Sequence, residues 1–279
     1  MHMVEQVIEF ADSEYLWLVL RQEALATAAQ EPALAAFIDA RVLSHGVLAA
    51  ALAYHLSQQL AGPDFNSPAM REVCAQAFAS DPSIINSFAR DIQAVAERDP
   101  ACRSYLQPFL FYKGLAALLA HRVAHWLWLQ SQHTLALYLQ SQVSTTFQVD
   151  IHPAAVLGAG ILLDHATGVV IGETSVVGDD VSILQSVTLG GNGKERGDRH
   201  PKIGRGVFIS VGAKILGNIS VGEQARVAAG SIVLSDVPAH ATVVGAPAKV
   251  VRVNSVQNHL PVTAIAGNLI GCFDAPGRL

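Results

Sequence analysis

Residues 151–187 read IHPAAVLGAGILLDHATGVVIGETSVVGDDVSILQSV, and this stretch decides the fold. An aliphatic residue recurs at every sixth position, with Ser175 as the exception: Ile151, Leu157, Leu163, Val169, Ser175, Val181 and Val187. After an interruption the same spacing continues with Ile203, Ile209, Ile215, Val221, Val227 and Val233. A glycine follows most of these positions by three residues: Gly160, Gly172, Gly178, Gly190, Gly206, Gly212 and Gly230, with Asn218 in register. Such spacing is typical of a hexapeptide β-helix.

Each six-residue unit forms a short strand and a turn, and three units close one triangular coil. The aliphatic side chains point inward and stack on their counterparts in neighbouring coils, about 4.8 Å away, the ordinary spacing of hydrogen-bonded strands. Glycine or asparagine at the corner supplies the backbone freedom of a tight turn. A sandwich of alternating strands is the alternative, but it needs longer period-two runs and less regular turns.

Ten extra residues interrupt the repeat between Val187 and Ile203. Extra residues within a coil must protrude from it as a loop. We therefore predict an inserted loop at about residues 190–201, rich in glycine and charge. The predicted fold class is α+β in two parts: an all-α helical domain at residues 1–148, a parallel β-helix at 149–253 and a flexible C-terminal tail at 254–279.

The first 150 residues are predicted to be helical, since they hold only three of the 22 glycines. Ser67-Pro68 and Asp81-Pro82 predict the starts of helices, with proline at the first helical position. A solenoid must have its open end covered, so the helical domain is expected to cap the first coil and to serve in assembly. One face at helical spacing is apolar: Ile84, Ile85, Phe88, Ile92 and Val95.

Composition excludes several classes of protein. The net charge of −5 argues against a nucleic-acid surface. We expect no membrane span, because no run of about 18 apolar residues occurs. Cys74, Cys102 and Cys272 are few and far apart, which suits a reducing cytoplasm, and the N-terminal residues lack a signal-peptide pattern. We therefore expect a cytoplasmic location.

Polar residues interrupt the apolar repeat where chemistry is expected. Asp164 and His165 face outward, and Asp150 lies 15 residues earlier, close to one 18-residue coil. A carboxylate beside an imidazole orients the ring and favours the imidazolium, as a general base requires. Arg199 and His200 return from the inserted loop to the solenoid surface. Singly, each histidine is most simply a surface residue; together they favour a functional site.

Motifs throughout the chain resemble those of the bacterial serine O-acetyltransferases, a hexapeptide acyltransferase family. The resemblance covers roughly residues 5–250 and implies that the β-helix is left-handed. In the helical half it rests on DIQAVAERDPA (91–101) and HWLW (125–128). Its other motifs lie in or beside the solenoid: QVSTTFQVDIHPAA (142–155), LDHATG (163–168), SILQSVTLGG (182–191), GDRHPKIG (197–204) and AKILGNI (213–219).

The resemblance implies acetyl transfer from acetyl-CoA to the hydroxyl of L-serine, with no metal. His165 is then the general base, Asp150 its orienting partner, and His200 lies near the reacting hydroxyl. Asp99 and Asp164 hold the substrate ammonium, although Asp99 before a proline is otherwise most simply a helix cap. Arg199 meets the substrate carboxylate. The groove for acetyl-CoA is expected to be lined by Gly191, Val211 and Ala213.

The resemblance also implies partners. We expect a homotrimer with sites between subunits, paired into a hexamer through the helical half, and inhibition by L-cysteine. Family members that bind cysteine synthase use a C-terminal tail ending in isoleucine, whereas this chain ends in Leu279, so we expect weak or partner-specific binding.

Three other functions compete with serine acetylation. The first is acetyl transfer to another hydroxyl or amino acceptor on the same solenoid. The second is a zinc carbonic anhydrase of the same fold, with His152, His165 and His200 as ligands from two subunits. The third is a structural trimer, which would need none of the polar residues.

Overall fold

The structure is a computed structural model that describes residues 13–193 and 196–253. A helical region comes first. Its helices are α1 (Ser13–Gln30), α2 (Ala35–Ile38), α3 (Leu48–Leu60), α4 (Ser67–Ser80), α5 (Ser83–Arg98), α6 (Leu106–Phe111), α7 (Lys113–Leu129) and α8 (His133–Phe147), with a 3-10 turn at Pro32–Leu34 and a π-helical turn at Asp39–Leu43.

The amphipathic pattern places α5 as predicted. The five apolar residues from Ile84 to Val95 are all buried. Asp81 Oδ1 accepts the backbone N–H of Ser83 at 3.0 Å, but Pro82 is the N-cap of α5, so the helix begins one residue later than predicted. The cap of α4 is Asn66 rather than Ser67, because Asn66 Oδ1 accepts the N–H of Ala69 at 3.1 Å.

The strands follow at once. They are β1 (Val149–Ile151), β2 (Val156–Leu157), β3 (Leu162–Leu163), β4 (Val169–Ile171), β5 (Val176–Val177), β6 (Ser182–Ile183), β7 (Thr188–Gly190), β8 (Lys202–Ile203), β9 (Phe208–Ile209), β10 (Lys214–Leu216), β11 (Ser220–Val221), β12 (Arg226–Val227), β13 (Ile232–Val233), β14 (Ala241–Gly245) and β15 (Ala248–Val253).

Three sheets form the walls of a parallel β-solenoid of about five turns. The first sheet is β1-β4-β7-β10-β13, the second β2-β5-β8-β11, and the third β3-β6-β9-β12-β14-β15. Strand pairs are parallel except β14 and β15, which form an antiparallel hairpin at the far end. The predicted fold class, helices followed by a hexapeptide β-helix, is confirmed. The division into separate domains and the mobility of the tail stay predictions, and the tail lies outside the described residues.

The register of the repeat differs from the prediction. Val149 pairs with Val169, so the first coil takes 20 residues instead of 18. The two extra residues lie in the turn between β3 and β4, where the six-residue spacing of the sequence predicted no insertion. Val176 pairs with Lys202, a coil of 26 residues, so the inserted loop adds eight residues rather than ten.

Charged side chains attach the helical region to the first coils. The buried Asp91 of α5 pairs with Arg122 of α7 at 2.6 Å and also accepts the N–H of Ile161 at 2.8 Å. Arg98, at the end of α5, donates to the carbonyl of Asp180 at 2.9 Å. These contacts fix the end of α5 against the solenoid. Within residues 13–193 and 196–253, no helix has both the length and the apolarity that a bilayer crossing requires.

Candidate active site

The widened turn between β3 and β4 presents His165 to solvent. His165 and Ala166 have φ values of 54° and 60°, a left-handed backbone that costs energy in residues other than glycine. Ala166 is fully buried, whereas the His165 side chain is 74% exposed. The N-terminus of α7 packs directly on this turn, because a Cβ on Gly114 would lie 2.0 Å from the Leu163 carbonyl oxygen. The turn is therefore shaped by tertiary contacts.

Two carboxylates accompany this imidazole, and we call Asp99, Asp164 and His165 the acidic corner. Asp164 Oδ1 lies 3.8 Å from His165 Nε2. Burial raises the pKa of the Asp164 carboxyl; the neighbouring His165 lowers it and the Asp99 carboxylate raises it. Asp99 stands at the end of α5, where its Oδ1 accepts the N–H of Ala101 at 2.8 Å. The structure thus brings Asp99, which is distant in sequence, close to the adjacent residues Asp164 and His165.

A second group lies across the first sheet, and we call Glu173, Thr174, Arg199 and His200 the arginine corner. Arg199 pairs with Glu173 at 2.6 Å, which lowers the pKa of the Glu173 carboxyl. The Thr174 hydroxyl accepts the backbone N–H groups of Arg199 and His200 at 3.0 and 3.1 Å. The two residues that end the inserted loop are therefore fixed to the coil before them.

Backbone contacts also fix the tautomer of His200. Its Nδ1 accepts the N–H of Thr174 at 3.1 Å, so Nε2 carries the proton of the neutral ring. Burial and then the charge of Arg199 lower the pKa of His200. The ring packs against Gly172, where a Cβ would lie 2.1 Å from its atoms. His200 thus presents a neutral N–H donor.

Asp150 does not pair with His165 within one chain. The widened first coil sets Asp150 beside Val170, five residues beyond His165. His165 interacts with Asp164, while Asp150 accepts a hydrogen bond from Gln140 of α8 at 2.6 Å. The expectation that a coil of 18 residues would bring Asp150 and His165 together was wrong about the spacing.

The residues predicted for the acetyl-CoA groove fall in different environments. Gly191 borders Arg199, since a Cβ there would lie 3.5 Å from Arg199 Cγ. Val211 is 36% exposed, but Ala213 is fully buried. The Ala213 N–H donates to the Ser210 carbonyl and its carbonyl accepts from Thr188, so both its backbone groups are engaged within the solenoid.

Sequence reasoning missed three polar residues that contact predicted site residues: Glu173, Thr174 and Gln140. Glu173 and Thr174 stand just after Gly172, at the corner of a hexad, where outward polar side chains are ordinary. Gln140 lies among other polar residues of α8, so nothing in the sequence singles it out. Glu173 and Thr174 could have been identified by their position, because they lie on the coil that precedes Arg199 and His200.

The three histidines of the zinc alternative do not meet within one chain. His165 belongs to the acidic corner, while His152 and His200 lie on the other side of the first sheet. The Nδ1 atoms of His152 and His200 both accept backbone N–H groups. Across the described part of the chain, no three His, Cys, Asp or Glu side chains are grouped to hold a metal ion.

A capped hexapeptide solenoid with an exposed imidazole beside two carboxylates defines the class of hexapeptide acyltransferases. A family model described as "Serine acetyltransferase, N-terminal" matches residues 16–120. The serine acetyltransferase of Salmonella typhimurium is 56% identical over 238 residues, which is 85% of this chain and 87% of that protein. The chain belongs to the serine acetyltransferase family, and the protein is an acetyltransferase.

Solved structures agree with this assignment. A serine acetyltransferase in complex with cysteine is 50% identical with a TM-score of 0.88, covering 91% of this chain and 98% of that chain. Soybean serine acetyltransferase complexed with serine is 52% identical with a TM-score of 0.84, covering 86% of this chain and 98% of that chain.

Proposed function

We propose that this protein transfers the acetyl group of acetyl-CoA to the hydroxyl of L-serine, giving O-acetyl-L-serine for cysteine biosynthesis. The observation that carries the proposal is the acidic corner, where two carboxylates lie beside an exposed imidazole. A pair of carboxylates suits an ammonium group, and the imidazole suits the proton of a hydroxyl whose oxygen is three bonds from the ammonium nitrogen. Serine carries both groups at that separation.

The arginine corner supplies the remaining recognition. Arg199 is a bidentate donor suited to the substrate carboxylate, and its pairing with Glu173 holds the guanidinium in place before substrate arrives. His200, with its neutral Nε2–H, donates to the reacting hydroxyl oxygen or to the carbonyl oxygen of the acetyl group. Acetyl-CoA lies beside Gly191 and Val211, next to this corner.

The reaction is a direct transfer. His165 takes the proton of the serine hydroxyl as its oxygen attacks the thioester carbonyl, and the imidazolium returns the proton to the departing thiolate of coenzyme A. Such general-base assistance contributes about 10²–10⁴-fold. Holding both substrates in line replaces a bimolecular encounter by positioning. The reaction forms no covalent intermediate with the enzyme.

The site is completed by a second copy of the chain. The acidic corner precedes β4 and the arginine corner follows it, so they lie at opposite ends of the strands of the first sheet. One serine molecule therefore cannot span both within a subunit. Exposed valines lie on the outer faces near these corners, as an interface requires: Val156 at 49%, Val170 at 39% and Val176 at 38%. In a trimer of parallel solenoids, Asp150 of one subunit orients His165 of its neighbour.

Regulation and assembly follow from the same proposal. L-cysteine differs from serine by a thiol in place of the hydroxyl, so it occupies the same site and inhibits. Trimers pair into hexamers through the helical region, and the enzyme acts in the cytoplasm. The predicted binding of cysteine synthase by the tail ending in Leu279 concerns residues outside the described part of the chain, and stays a prediction.

Release of free coenzyme A tests the reaction. The assay uses acetyl-CoA with L-serine, homoserine or an amino sugar as acceptor, with and without L-cysteine. We expect release with L-serine, suppressed by cysteine. Faster release with another acceptor would replace serine as the substrate, and no release with any of them would overturn the proposed function.

Mixed trimers test the shared site. Subunits carrying Asp150→Ala and His165→Ala are co-expressed with different tags and purified through both tags. Every mixed trimer then has one site with both residues intact, so about a third of its sites are restored if each site joins two subunits. Mixed trimers as inactive as the two parents would place Asp150 and His165 in one subunit.

A further inference from the structure

Lys202, a residue that the proposed mechanism does not use, begins β8 two residues after the arginine corner. Its ammonium group carries three N–H bonds, and three acceptors surround it. Nζ donates to the Thr174 carbonyl at 2.9 Å, to the His200 carbonyl at 2.8 Å and to Asp198 Oδ1 at 2.5 Å. The Lys202 side chain is only 31% exposed, so these partners take the place of much of the water around the charge.

The three acceptors belong to two segments that are distant in sequence. Asp198 and His200 lie at the end of the inserted loop, whereas Thr174 lies on the preceding coil. Lys202 reaches both segments because β8 pairs with β5 of that coil. The Thr174 hydroxyl already accepts the backbone N–H groups of Arg199 and His200. The ammonium therefore binds carbonyl groups at the same junction where the hydroxyl binds N–H groups.

We propose that Lys202 is a positioning residue of the arginine corner, whose ammonium holds the end of the inserted loop on the preceding coil so that Arg199 and His200 face the substrate. This inference rests on the proposed function, in which Arg199 binds the substrate carboxylate and His200 donates to the reacting groups. It extends that function to a side chain that acts through these two residues, because their place depends on where the loop ends.

The charge and shape of the ammonium explain why a lysine suits this role. Hydrogen bonds from a charged donor are stronger than those between neutral groups. Three donors on a flexible stem can meet three separate acceptors, whereas the planar fork of an arginine matches a single carboxylate. The ion pair with Asp198 contributes little, because that carboxylate is 55% exposed. The two carbonyl hydrogen bonds therefore hold the junction, and less binding energy is lost in ordering the corner around the substrate.

The first test is Lys202→Met, which removes the ammonium and keeps an unbranched stem. We expect the KM for serine to rise roughly 5- to 10-fold, the size of one lost hydrogen bond to a charged group, with the KM for acetyl-CoA unchanged. Asp198→Asn keeps both carbonyl hydrogen bonds, so its serine KM should stay within about twofold of wild type. The control is Lys249→Met, which removes the same charge from an exposed residue of β15, and its serine KM should equal that of wild type.

Double-mutant cycles in the two corners separate positioning from a general structural effect. If Lys202 acts through the arginine corner, Lys202→Met should add little to the serine KM of an Arg199→Gln enzyme. It should raise the serine KM of an Asp164→Asn enzyme by its full factor, because the acidic corner is independent of it. A thermal melt checks that each variant is folded.

Lys202→Arg replaces Lys202→Met if methionine prevents folding, and the same pattern with a smaller rise is then expected, because the charge remains. An unchanged serine KM in the folded Lys202 variant, or an equal rise in the Arg199→Gln and Asp164→Asn backgrounds, would overturn the inference while the serine reaction stands. A wild-type enzyme that does not acetylate serine would instead overturn the proposed function, and the inference with it.

Discussion

The acidic corner and the arginine corner are built in opposite ways. The acidic corner depends on the helical region, since Asp99 ends α5 and Gly114 of α7 packs on the turn that carries His165. The arginine corner is internal to the solenoid, where Arg199 and His200 are fixed by the preceding coil. In the proposed function, recognition of the substrate ammonium is thus coupled to helix packing, whereas recognition of its carboxylate depends on the β-helix itself.

The largest expected effect comes from removing the imidazole of the acidic corner. His165→Ala should lower kcat by about 10²–10⁴-fold, the usual contribution of a general base. Because the side chain is 74% exposed, the thermal midpoint should stay near that of wild type. Steady-state release of coenzyme A and a thermal melt measure the two quantities. Near-wild-type turnover in a folded His165→Ala enzyme would remove His165 from the mechanism.

A pair of identical substitutions sharpens the comparison. Gly114→Ala sets a Cβ 2.0 Å from a backbone carbonyl oxygen, whereas Gly172→Ala sets one 2.1 Å from the ring of His200. Backbone cannot yield, so Gly114→Ala should lower the free energy of unfolding by about 1–3 kcal/mol and lower kcat as well. A side chain can rotate away, so Gly172→Ala should keep its stability and lose roughly 10-fold in kcat/KM for serine.

Thermal or urea unfolding, with serine kinetics on the same preparations, distinguishes these outcomes. Gly46→Ala is the matched control, because its Cβ would meet nothing within 4 Å. Equal losses of stability at Gly114 and Gly172 would contradict the difference between the two corners.

More of the solenoid than of the candidate site could be predicted from the sequence. Hexad spacing alone predicts the coils and the inserted loop, and the scarcity of glycine in the first 150 residues predicts the helical region. It cannot locate the two extra residues of the His165 turn, because each strand has two inward positions two residues apart, such as Val169 and Ile171. A shift of two therefore replaces one buried aliphatic residue by another. The mistaken register hid the widened turn.

The partners of a side chain can be predicted from the sequence only where both residues belong to the regular backbone repeat. Asp99 and Asp164 lie 65 residues apart, and no periodic pattern relates the end of α5 to a turn of the solenoid. The resemblance to a family supplied that pairing, and the structure supplied its physical cause in the Arg98 and Gly114 contacts. The contact of Gln140 with Asp150 needed the structure, because it depends on a single hydrogen bond.

The smallest expected effect is a difference in acid sensitivity between the corners. Burial and the nearby Asp99 carboxylate raise the pKa of Asp164, despite the opposing effect of His165, whereas the Arg199 hydrogen bond lowers the pKa of Glu173. A raised pKa means that Asp164 gains its proton first as the pH falls, while Glu173 keeps its charge. The substrate ammonium should therefore lose its partner before the arginine corner changes.

Serine KM measured over a series of falling pH values tests this order. KM should rise about twofold by the point where the pH equals the raised pKa of Asp164, because half of these carboxyls are then protonated. Asp164→Asn should start with a high KM that no longer depends on pH in that range, because its side chain cannot titrate. Glu173→Gln should keep the wild-type dependence. A dependence abolished by Glu173→Gln and retained in Asp164→Asn would reverse the assignment of the two corners.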